Sequence, residues 1–106
     1  MIKVSYITEV EGMTKPEKTN ISIFDNRYLA QYSVSNKAKT VRDKMVKDGR
    51  TGVLLSRGLL IQNFYGKTQE EILEIVKKDI ENGVLVAQEE SKKKVEIKDL
   101  VIEKKE

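Results

Sequence analysis

Ile2, Val4, Tyr6 and Val10 occupy even positions at the start of the chain, with Lys3, Ser5 and Glu9 between them. Successive side chains of a strand point to opposite faces, so an apolar residue at every second position predicts a half-buried strand. Ile7 is the exception. The stretch from Gly12 to Lys18, with the single proline at Pro16, interrupts the alternation. Ile21 and Ile23 resume it, and Tyr28, Ala30, Tyr32 and Val34 carry it further. Between them, Asp25-Asn26-Arg27 is a tight-turn sequence, because Asn tolerates positive φ and Asp bonds its own backbone. Residues 19–34 therefore read as a hairpin, and 2–34 as a three-stranded meander.

The period then changes. Val34, Ala38, Val41 and Met45 recur at helical spacing and predict a helix over about 36–48, capped by Ser35 or Asn36 and ended by Gly49. Val53-Leu54-Leu55 and Leu59-Leu60-Ile61 flank Ser56-Arg57-Gly58 and read as two short strands about a turn, or as one irregular strand. Thr68 to Glu71 is a capping box, with Thr at the N-cap and Glu three residues on. The helix it opens, over about 69–82, carries Ile72, Leu73, Ile75, Val76 and Ile80 on one face and ends at Asn82-Gly83. Asp79 falls within that apolar arc. It either pairs with a base or an amide at a packed edge or marks the fringe of the arc, and the nearby helix end favours the fringe. Val84 to Ala87 is a candidate strand and Gln88 to Lys94 a charged loop. Val95, Ile97, Leu100 and Ile102 form a last strand whose parity switches at Asp99, as a bulge requires.

These elements predict an α+β fold, with a small, mostly antiparallel sheet and two helices. The 106 residues suit one domain, taken as 1–102, with 103–106 a frayed charged tail. The chain holds no cysteine, so disulfides and thiolate metal sites are excluded. The N-terminus lacks a signal-length apolar run, and the longest aliphatic run, Val84 to Ala87, is far below the ~20 residues of a membrane span. The expectation is a cytoplasmic protein without a membrane partner. Sixteen lysines against four arginines, with ten isoleucines, point to AT-rich coding DNA of a bacterium or phage.

Charge sharpens this picture. Residues 1–13 carry −1, residues 14–57 carry +6 and residues 58–106 carry −2, giving the net +3. All four arginines (Arg27, Arg42, Arg50 and Arg57) fall in the basic middle. Arginine forks onto phosphate and carboxylate, so their clustering points to an anionic partner.

Candidate catalytic chemistry is sparse. Histidine is absent, which removes the side chain that titrates nearest neutrality and the commonest metal ligand. Glu70, Glu74 and Glu81 are interleaved with Lys77 and Lys78, the pattern of a solvated helix face rather than a metal site. Gly66-Lys67-Thr68 resembles the end of a phosphate loop, but Ile61 stands where such a loop requires glycine. What remains is a weak helix-start anion site at Lys67 and Thr68. No cofactor is implied and the chain is expected not to be an enzyme.

The sequence therefore predicts a binding protein. Its anion-binding candidates are Arg27, Lys39, Arg42, Lys44, Arg50 and Arg57, and its stacking candidates Tyr28, Tyr32 and Tyr65. Tyrosine beside arginine suits a nucleic acid or a phosphorylated nucleotide-like ligand. The alternative is a small interaction module or inhibitor that docks on an acidic protein surface, through the same basic face or an unpaired sheet edge. Homo-oligomerisation through an edge strand is compatible with either.

Overall fold

The structure, a computed structural model, describes residues 1–10, 15–86 and 95–105. Among these, the chain runs β1 (Ile2–Val10), β2 (Glu17–Phe24), β3 (Arg27–Tyr32), α1 (Ser35–Lys47), β4 (Val53–Ser56), β5 (Leu59–Asn63), α2 (Gln69–Glu81) and β6 (Val95–Lys104). The six strands form one antiparallel sheet in the order β4-β5-β3-β2-β1-β6. The predicted meander is its centre. Its second turn closes at Asn26, whose φ of 71° is the positive value that Asn tolerates.

Alternation decides which face is buried. Ile2, Val4, Tyr6, Ile21, Ile23, Tyr28, Ala30, Tyr32 and Leu60 all point to the helix side and are buried. Ala38, Val41 and Met45 of α1 cover β3, β4 and β5, while Ile72, Leu73, Val76 and Ile80 of α2 close the core toward β2 and β3. Removing a large aliphatic or aromatic side chain of this kind from water stabilises a fold by about 1.5–3 kcal/mol. The capping box of α2 is present in both directions, with Thr68 Oγ1 accepting from the Glu71 N–H and Glu71 accepting from the Thr68 N–H.

Several local expectations are corrected. Helix α1 has Val34 at its N-cap and no side-chain cap, so neither Ser35 nor Asn36 plays that part. Val34 is also off the buried stripe: as the N-cap its backbone is extended rather than helical, and it is exposed. Glu17 and Lys18, expected in the break, already pair with Thr8 and Ile7. Val84, Leu85 and Val86 form turns rather than a strand, and Ala87 lies outside the described residues, as does the expected 88–94 loop. The reason is visible at Leu85, whose N–H donates to the Asp79 carbonyl while its own carbonyl accepts the Tyr32 and Tyr6 hydroxyls at 2.7 and 3.3 Å. Its polar groups are thus satisfied without a ladder.

The last strand behaves as its parity predicts. Ile97, Leu100 and Ile102 line one cavity with Val4, and Asp99 takes φ 54° where the β1–β6 register shifts. The tail is not frayed up to Lys105. Glu103 and Lys104 pair with Lys3 and Ile2, and Met1 and Lys105 exchange backbone hydrogen bonds of 2.7 and 2.8 Å. Once the meander offers β1 as an open edge, a charged strand can complete the ladder, since only one of its faces meets the core.

Candidate binding face

The sequence brings four arginines close in number, and the fold takes them apart. Arg27 opens β3 and is exposed, its guanidinium 6.0 Å from the Phe24 ring centroid. It pairs with Asn63 at the end of β5, whereas Arg57 sits in the turn beyond Leu59 at the other end. At about 3.3 Å per residue, that places their backbones about 13 Å or more apart. The two residues therefore sit at opposite ends of the β3–β5 pair.

Arg50 is a structural residue. Its Nη1 and Nη2 donate to Oδ1 and Oδ2 of Asp79 at 3.2 and 2.7 Å, and its guanidinium lies 5.8 Å from the Phe64 ring centroid. Burial opposes the charge of Arg50, but the Asp79 carboxylate outweighs that and holds its pKa above the ordinary value. Asp79 is therefore not at a solvated fringe. It is 8% exposed, and the loop after α1 brings it the base it needs. A carboxylate on an apolar arc, with arginine elsewhere in the chain, is the signal for such a pair.

The stacking candidates divide the same way. Tyr28 and Tyr32 are core residues, 0% and 3% exposed, and offer no ring face to a ligand. Tyr28 packs against Phe64 with ring centroids 5.7 Å apart. Burial pushes both hydroxyls above their usual range and keeps them neutral. Tyr65 alone of the three is fully exposed. The helix-start site expected at Lys67 and Thr68 is filled by the chain itself, since the Gln69 N–H donates to Asp25 Oδ1 at 3.0 Å and the Glu71 N–H to Thr68 Oγ1.

What the fold does bring together lies along α1 and β4. Ser35, Asn36 and Lys39 of the first turns of α1, with Leu54, Leu55, Ser56 and Arg57, line a groove of about 320 Å³. Ser35, Lys39, Arg42 and Val46 recur at three- and four-residue spacing and so share one flank of the helix. Lys39 and Arg57 are exposed and make no ion pair among the described residues; Arg42 holds Asp43 at 2.8 Å. On the opposite flank, Lys37 reaches Glu17 at 2.7 Å, and Lys44, two turns on, lies on that same side. Of the six expected anion-binding residues, the groove brings together Lys39 and Arg57, with Arg42 one turn on along the same helix flank.

Sequence reasoning missed the apolar floor of the groove, Leu54 and Leu55. Its signal was the uncharged run Val53-Leu54-Leu55, followed by Ser56 and Arg57. Among the described residues no group of acids is placed to hold a metal ion, and no helix is long and apolar enough to cross a membrane. Comparison with protein-family models, with curated proteins and with solved structures returned no match to this chain.

Proposed function

We propose that this chain is a non-catalytic interaction module that docks on an acidic protein partner through the face formed by α1 and β4. The observation that carries this reading is the groove itself, with an apolar floor at Leu54 and Leu55 and basic walls at Lys39 and Arg57. An apolar floor with a charged rim is the anatomy of a protein-recognition patch. A phosphate site needs several donors converging on one point, and here the arginines lie at separate places.

A second reading, nucleic-acid or nucleotide-like binding, is favoured by one observation. Tyr65 is fully exposed between Phe64 and Gly66, whose amides are tied to Asn26 beside Arg27. An exposed aromatic ring on a loop tied to a basic turn suits base stacking.

Titration at low salt separates the two. The probes are poly-glutamate, single-stranded DNA, duplex DNA and RNA, against the parent, Lys39→Glu/Arg57→Glu and Arg27→Glu/Tyr65→Ala. The first reading expects poly-glutamate to bind and the first double variant to lose it. Binding of the nucleic acids alone, lost in the second variant and falling steeply with salt, supports the other reading and sinks the first.

A further inference from the structure

The two edges of the sheet are guarded differently. Strand β6 carries Glu96, Lys98, Asp99, Glu103 and Lys104 on ten residues and is kinked at Asp99. Charges and bulges of this kind keep an edge from pairing with another chain. Among the described residues strand β4 is outermost on the other side; it is four residues long and carries no charge at all. Val53 and Leu55 are 46% and 53% exposed. From Val53 at the edge, the ladder continues inward through Ile61 and Leu29 on the open sheet face, so apolar surface runs from the edge across three strands. The register shifts between Leu54 and Ser56, which limits any added strand to a short one.

Resting on the acidic-partner reading above, we infer that the partner supplies a short extended segment that adds to the open edge of β4. One apolar side chain of that segment enters the α1–β4 groove over Leu54 and Leu55, and acidic side chains two residues before and after it, on the same face of the added strand, meet Lys39 and Arg57. Strand addition supplies main-chain hydrogen bonds to the unpaired edge, while the pocket and the two cations select the side chains. Charge decides the occupant. A second copy docked by its own β4 would bring the Lys39 and Arg57 of both chains together, and like charges oppose that contact. An acidic segment removes the same conflict.

The test uses the full chain and a synthetic peptide of repeated Glu-Ser-Leu-Ser, in which glutamate and leucine alternate along one face of an extended strand, long enough to overhang β4 on both sides. Its controls are a peptide of the same composition with leucines and glutamates in two blocks, two versions N-methylated at alternate amides, and poly-glutamate. The expected result is binding of the alternating peptide with slowed amide exchange at Val53–Ser56. Methylation in one parity should weaken it about tenfold or more while the other parity is harmless, since an added strand pairs along one side only. Lys39→Glu/Arg57→Glu should weaken it by a similar factor, with a thermal melt confirming that this surface variant stays folded.

If the block peptide binds as well as the alternating one, or methylation in neither parity matters, strand addition is wrong while the acidic-partner reading stands. If neither peptide nor poly-glutamate binds, both fall. A concentration-dependent dimer that Leu55→Lys dissolves would make the occupant a second copy and overturn the inference.

Discussion

Replacing Arg50 separates a structural arginine from a binding one. In Arg50→Gln, the Asp79 carboxylate loses both donors, at 3.2 and 2.7 Å, while its side chain remains only 12% exposed. Breaking a fully buried ion pair by removing one partner costs about 3–5 kcal/mol, because the other charge stays desolvated. Here the arginine side chain is 23% exposed and water reaches it, so the cost is set lower, at about 2–3 kcal/mol. Asp79→Asn leaves the more exposed partner unpaired and keeps one amide donor and one acceptor in place, so about 1.5 kcal/mol is expected. Neutralising both ends removes the stranded charge, and the double variant should recover about 1 kcal/mol of the summed loss.

The assay is urea unfolding followed by circular dichroism, with the slope m unchanged between variants so that midpoints report stability. For a domain of this size, Arg50→Gln should also lower Tm by about 10 °C. At a temperature where the variant is folded, its affinity for poly-glutamate should equal the parent's. A loss under about 0.5 kcal/mol, or no coupling in the double variant, refutes the placing of Arg50 as a core tie. Unchanged stability with lost binding would return it to the anion-binding set.

Four other outcomes follow from the same geometry. Thr68→Ala removes the acceptor of the Glu71 N–H and should cost about 1 kcal/mol in urea unfolding, whereas Thr68→Ser should retain most of it. Glu71 is held below its ordinary carboxylate range by the backbone N–H and then the hydroxyl of Thr68. Its contribution is therefore complete above the unfolded pKa and fades as pH falls through the folded one, so Glu71→Gln should flatten the acid limb of the stability profile. Gly58 has φ +76°, and a Cβ there would lie 2.6 Å from the Tyr32 carbonyl oxygen, so Gly58→Ala should cost about 2–3 kcal/mol; a neutral result by thermal melt would contradict the turn. Burial raises Tyr6, Tyr28 and Tyr32 above the ordinary tyrosine value of 10.0, so their shared stabilisation is full below that pH and is lost as pH rises toward the folded values. Phenolate absorbance of these three should appear together with alkaline unfolding, and a gradual rise without unfolding would contradict their burial.

The meander and both helices were legible because each is specified locally. Alternation at Ile2, Val4 and Tyr6 and again at Tyr28, Ala30 and Tyr32 is read off one strand at a time, and the Thr68–Glu71 box is complete within four residues. The bulge at Asp99 was legible for the same reason. Expectations failed where the deciding partner was distant in the chain. Leu85 is drawn out of a strand by the hydroxyls of Tyr6 and Tyr32, 79 and 53 residues away. Asp79 is satisfied by Arg50, 29 residues back, and the α2 start by Asp25, 44 residues back. None of these pairings has a periodicity to betray it.

The arginines show why a run of like residues in sequence is a poor measure of a site in space. A hairpin reverses the chain every few residues, so Arg27 and Arg57, although each sits near a turn, open toward opposite ends of the β3–β5 pair. A helix sorts its residues by angle, so Lys39 and Arg42 fall on the β4 flank while Lys37 faces Glu17 across the other. The basic middle is therefore a mixture of a core tie, two separated turn residues and one helix flank. Only the flank meets an uncharged, unpaired strand edge, and that meeting could not be read from either segment alone. The strand needs the helix beside it to have a groove, and the cations need the open edge to have something to select.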